Sequence, residues 1–422
     1  MRVPFFVLLL SCLVVGLGVG LPLENVVLTT GNGFWHIVKA LGPIIILGII
    51  LGAILEFTGS TRVMAATILK KVGEGRAALA MSLTGFIVGL PIFCDSGFIV
   101  LSGLNRSLAE RTRVPMAFMT VSLASGLYSI HCLIPPHPGA SAAAGLIGVD
   151  VGRLMVAGIL VALPAAFVGY CWARFAGRRG KTAEEKGGAG DEAGGDAGTI
   201  RTTGPSATRA FLPVVIPILL IAIRSFFSVE KGLSLPGISW FLMLGYPVAA
   251  LSVGILLALA GGRGWTKEVL GGLVWNSLKK AAGILVIIGA GGALGAVLAT
   301  THMGEHLSGA LPLARMGLFF PFLLTSLLKT AQGSSTVAII TAASIVKPLL
   351  TTLGLATGNG PILCILSMGA GSMMISHAND AYFWVIARFS GLDMRTMLKV
   401  YTVATLLMGL TAYLTVYLIS CI

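Results

Sequence analysis

Asp95 stands in the run GLPIFCDSGF, surrounded by apolar and small residues. A carboxylate at bilayer depth costs roughly 2.5–3.5 kcal/mol even on lenient insertion scales, so it either has a function or caps the helix that follows, with Ser96 helping. The segment Ser129-Ile130-His131-Cys132-Leu133-Ile134-Pro135-Pro136-His137-Pro138-Gly139 holds two histidines and three prolines. No uninterrupted helix tolerates that proline density, so the chain is expected to unwind here. His131 and His137 beside open backbone could bind a hydroxylated anion or relay a proton, or they could rest as neutral rings bonded to backbone carbonyls.

In KTAQGSSTVAII, Gly333, Ser334, Ser335 and Thr336 offer backbone N–H groups and hydroxyls at an expected helix start. Such an arrangement holds carboxylates or phosphates, or it is an ordinary Ser/Thr cap. Lys329, four residues before Gly333, could meet a substrate carboxylate or snorkel to the interface. In GAGSMMISHANDAYFW, Ser376, His377, Asn379 and Asp380 bunch at the end of an apolar run and read as a site wall, with an interfacial cap as the alternative for Asp380.

The elements that must position these residues are apolar. Of 422 residues, 56% are hydrophobic and 11% charged, against about 25% charged in soluble domains. No Asp, Glu, Lys or Arg occurs in Val3–Leu23, Ala77–Cys94, Val114–Val149, Leu154–Ala173, Gly232–Gly262, Ala281–Gly304, Pro348–Asn379 or Val400–Ile422. Because about 20 helical residues span a bilayer core, these runs predict an all-α polytopic membrane protein with roughly ten crossings plus broken segments. The run after Arg2 is expected to be the first transmembrane helix. The net charge of +13 is carried by short basic connections between apolar runs, which suits anchoring in the lipid bilayer and excludes a nucleic-acid partner. The six cysteines lack metal-type spacing and read as free packing residues.

Residues 174–209 are Gly-rich and polar, with seven basic and five acidic residues, and are expected to form a flexible cytoplasmic loop between membrane halves 1–173 and 210–422. The halves resemble each other. Leu51-Gly52-Ala53-Ile54-Leu55 recurs 243 positions later as Leu294-Gly295-Ala296-Val297-Leu298, and His131 recurs 246 positions later as His377. Each half also holds an expected re-entrant hairpin, one over 77–104 broken near Gly89-Leu90-Pro91, the other over 316–346 broken around 332–336. No Walker A or HExxH motif is present, so no metal, no cofactor and no enzyme activity are expected, and an ion gradient is the expected energy source.

The blocks GFIVGLPIFCDSGFIVL, HCLIPPHPGASAAAGLIGVDVGR, KTAQGSSTVAIITAA and GAGSMMISHANDAYFWV resemble, in order, the bacterial gluconate:proton symporter family of the ion-transporter superfamily. The resemblance implies an inner-membrane permease with two inverted repeats, a re-entrant hairpin in each, an elevator-type movement and a homodimer. It also implies proton-coupled uptake of gluconate or a related sugar acid, with Asp95, Ser96, His131, His137, Gly333, Ser334, Ser335, Thr336, His377, Asn379 and Asp380 near the small anionic substrate. A sodium-coupled carboxylate transporter and an intramembrane acid–base enzyme remain as alternatives.

Overall fold

The computed structural model describes residues 2–177, 205–227, 242–262, 264–301 and 313–421, and regular structure among these is helical. Six helical spans are long and apolar enough to cross a membrane: Leu23–Phe57, Met116–Ile147, Val151–Gly177, Ala207–Ser225, Lys267–Ala299 and Met394–Ser420. Four shorter apolar helices accompany them, so the roughly ten expected crossings resolve into long spans and shorter, broken ones. The first helix, α1 (Arg2–Gly18), is among the shorter ones and packs against the longest two.

Those two, α2 (Leu23–Phe57) and α11 (Lys267–Ala299), lie antiparallel along each other. Their contact is close because glycines line it: a Cβ on Gly33 would meet the Gly292 carbonyl at 2.7 Å, and one on Gly42 would face Leu285. Small residues let transmembrane backbones approach where water expulsion cannot drive association. At about 1.5 Å per residue, each helix runs for about 50 Å.

After α2 the chain forms α3 (Ser60–Val72) and a helical hairpin. In the hairpin, α4 (Ala77–Gly89) is followed by a turn at Leu90–Phe93 and α5 (Cys94–Thr112). Next come α6 (Met116–Leu133), an unwound stretch over 134–137, α7 (Pro138–Ile147) and α8 (Val151–Gly177). The helices α9 (Ala207–Phe227) and α10 (Pro247–Gly261) lead to α11. A second hairpin follows, α12 (Phe319–Gln332) and α13 (Ser335–Val346). Then come α14 (Gly360–Met373), an unwound stretch over 374–380, α15 (Ala381–Ser390) and, after a π-helical turn at Met397–Thr402, α16 (Val403–Ser420).

Both halves therefore show long helix, hairpin, helix, break, short helix and long helix in that order. Packing repeats as well. Gly126 of α6 lies against the Ser82 carbonyl of α4, and Gly371 of α14 against the Phe322 carbonyl of α12, where a side chain would collide with backbone in each case.

The structure differs from expectation in some boundaries and in where the lysines lie. Both hairpins lie at the expected breaks, but the first extends to Thr112, past 104, and the second turn is narrower than 332–336: Gly333, at φ +79°, and Ser334 suffice, and Ser335 and Thr336 already lie in α13. The linker placed at 174–209 is helical at both ends, since α8 carries Arg174 in its last turn and α9 begins at Ala207; residues 178–204 lie outside the described residues. Lys39, Lys279, Lys280 and Lys329 sit within helices, not in connections, because long aliphatic stems can lie along a helix while the ammonium reaches a partner or water.

Candidate functional site

Each hairpin's second helix packs against the short helix after the break of the other half: α5 against α15, and α13 against α7. Four helix starts are thereby gathered round α6. The residues preceding them are Phe93, His137, Ser334 and Asp380. The Phe93 ring lies 5.8 Å from His137 and 6.3 Å from His131, and Tyr128 of α6 lies 5.6 Å from Tyr382 of α15. Tyr128 shares a 2.7 Å hydrogen bond with Ser335 Oγ and donates to the Ser372 carbonyl at 3.3 Å, joining the halves at the centre. Helix N-termini carry partial positive charge and unpaired N–H groups, so four of them around one point favour an anion.

In the first half, buried His137 donates through Nε2 to the Gly89 carbonyl at 2.7 Å, which ties the break to the last residue of α4. This is the backbone-bonded role that the sequence left open. The His131 ring lies 5.1 Å away, and its buried Nδ1 has no hydrogen-bond partner among the described residues. Asp95 lies in the first turn of α5 and is exposed. It accepts a long contact from Cys94 Sγ at 3.9 Å and makes no ion pair among the described residues. Half-buried Ser96 faces a cavity beside the turn. No side chain caps α5 or α7.

The second half is held by charge. Lys329 Nζ donates to Asp380 Oδ2 at 2.9 Å, and Lys329 is fully buried. The same carboxylate oxygen accepts from Ser376 Oγ, while Oδ1 caps α15 by accepting from the Tyr382 N–H at 2.9 Å. Lys329 thus does not snorkel to the interface; its ammonium is buried and paired with Asp380. Asp380 caps, as its alternative reading had it, but from a buried position.

Asn379 donates to the Thr330 carbonyl at 2.7 Å, so its amide is committed to the second turn. Gly333 packs against the Asn379 backbone, leaving no room for a Cβ. Ser334 Oγ caps α13 by accepting from the Val337 N–H at 3.3 Å. Thr336 and His377 are half-buried, and the His377 carbonyl accepts the Asp380 N–H at 2.8 Å. Within this break Ile375 adopts φ +48°, a strained conformation for a β-branched residue.

Sequence reasoning missed Tyr128, Tyr382, Tyr401, Thr402 and Thr405. The hydroxyls of Tyr382 and Tyr401 are buried without hydrogen-bond partners among the described residues, and their rings lie 6.1 Å apart beside Tyr128. Thr405 Oγ1 accepts the Ser376 N–H at 3.0 Å, and Thr402 Oγ1 donates to the Ser376 carbonyl at 2.6 Å. The available signal was a tyrosine or threonine within an apolar run, which lipid-facing helices also show.

A polytopic helical scaffold with broken helices meeting at an anion-favouring centre defines a membrane transporter, not an enzyme. The chain belongs to the GntP family of permeases, whose pattern it matches over residues 1–422. It is 30% identical to a gluconate permease of Pseudomonas aeruginosa, over 99% of this chain and 92% of that protein. It is also 30% identical to the inner membrane permease YgbN of Escherichia coli, over 97% of this chain and 92% of that one. Among solved structures, the YdaH transporter of Alcanivorax borkumensis shares the fold with a TM-score of 0.67 at 15% identity, covering 99% of this chain and 98% of that one.

Proposed function

We propose that this permease takes up gluconate or a closely related hydroxylated carboxylate together with a proton across a bacterial inner membrane. The observation that carries the reading is the difference in capping among the four gathered helix starts. Ser334 and Asp380 cap α13 and α15, whereas α5 and α7 have no side-chain cap. The substrate carboxylate takes the open N–H groups at those two starts, and its hydroxyls reach Ser96 and His131. The gluconate permease and inner-membrane relatives at 30% identity support the substrate class and the location.

Asp95 then acts as the coupling group. When ionised it places a negative charge in the first turn of α5, where the substrate carboxylate must sit, and like charges at that distance oppose each other. Protonation removes the conflict, so proton and anion bind together. Asp380 is unsuited to this task because Lys329 already neutralises it. On this reading the halves 1–173 and 210–422 are inverted repeats working as an elevator in a homodimer, joined by the segment 174–209.

The test is uptake of labelled gluconate into proteoliposomes with an imposed proton gradient and no sodium. Accumulation that a protonophore abolishes supports the proposal. Uptake that needs sodium and ignores the proton gradient overturns the coupling, and absence of uptake for gluconate and related sugar acids overturns the substrate class.

A further inference from the structure

A cavity of about 290 Å³ opens between α2, α11 and the turn of the first hairpin. Phe93 and Ser96 form its hairpin wall, Glu56 lies on α2, and Asn276, Ser277 and Lys280 project from α11. Because α2 and α11 run antiparallel, the stretch of α11 that carries Asn276 and Lys280 lies beside the apolar segment Ile49–Ala53 of α2. Lys280 is exposed at this cavity, at the edge of the charge-free run that begins at Ala281, where a long stem lets its ammonium meet both water and an arriving anion. Lys280 makes no ion pair among the described residues, although Glu56 shares the cavity.

We propose that this cavity is a second anion-binding position, a vestibule that receives the sugar acid before it passes Ser96 to the central site. Lys280 holds the carboxylate, and Asn276, Ser277 and Ser96 offer amide and hydroxyl groups to the substrate's own hydroxyls. Phe93, which borders both the cavity and the His131–His137 pair, separates the two positions. Glu56 opposes the bound anion, which limits affinity so that the ligand can move on. The proposal rests on the transport reading above for the identity of the ligand, but its charge logic can be tested apart from transport.

The experiment uses the full-length protein with exposed Cys171 and Cys421 replaced by Ser, and with Ala53→Cys in the cavity wall as a reporter for a membrane-impermeant thiol reagent. Gluconate should slow labelling in a saturable manner, while sorbitol, which lacks the carboxylate, should not. Adding Lys280→Gln should raise the protecting concentration about tenfold, the size of effect expected for losing one charge-assisted contact. Adding Glu56→Gln should lower it. Lys280→Arg, which keeps the charge, should retain protection and shows that the site has not simply unfolded. Equal protection by sorbitol, or an unchanged protecting concentration in Lys280→Gln, overturns the vestibule. Failure of wild-type uptake with labelling still sensitive to anions would instead overturn the transport reading alone.

Discussion

The two breaks do the same topological job by different physics. In the first half, Pro135, Pro136 and Pro138 forbid continuous helix, and one neutral hydrogen bond from His137 to Gly89 fixes the hairpin turn. In the second half no proline marks residues 374–380. There the break is held by the buried Lys329–Asp380 pair, by Asn379 on Thr330 and by strain at Ile375. A proline-made break is set by covalent geometry and leaves its helix starts open. A charge-made break consumes its polar groups in holding itself together. The two breaks thus differ in what holds them, and the second commits more of its polar groups to its own structure.

Removing one partner of the buried pair should have the largest effect on the fold. Lys329→Met strands a carboxylate and should cost about 3–5 kcal/mol, read as a lower unfolding midpoint in detergent, with most of the loss recovered in Lys329→Met/Asp380→Asn. If the single variant is as stable as the wild type, the second break is not held by charge. His137→Ala leaves the Gly89 carbonyl unpaired and should cost about 1–3 kcal/mol in the same assay. A cost equal to that of Lys329→Met would erase the contrast between the halves. Tyr128→Phe loses the hydroxyl that joins the halves through Ser335 and should cost about 1 kcal/mol. Asp95→Asn, at an exposed and unpaired position, should change stability by less than about 0.5 kcal/mol. It should nevertheless abolish accumulation driven by the proton gradient while gluconate counterflow persists; gradient-driven accumulation at wild-type levels would remove Asp95 from the coupling role.

Both hairpins and the first broken stretch were legible in the sequence because Gly and Pro stand out in apolar runs, whereas the second break, which has no proline, read only as polar residues at the end of an apolar run. The locations of Asp95, His131 and the Gly333–Thr336 segment could be read for the same reason. Pairings were not legible. Lys329 and Asp380 are 51 positions apart, and Tyr128 and Ser335 are 207 apart, and no local pattern reports which buried groups will meet. Lys280 was hidden differently: nothing in its local sequence singles it out, and only the packing of α11 on α2 places it at a cavity.

The π-helical turn at Met397–Thr402 gives the last helix a register offset relative to a plain α-helix. It is this offset that lets Thr402 and Thr405 clasp the amide and carbonyl of Ser376 together. A chain one residue shorter at that turn would still make a helix, but every side chain on one side of the deletion would rotate by about 100° relative to the other, and the clasp would open. The last helix thus behaves as a keyed shaft: its fit to the break depends on how many residues it contains as well as on which they are.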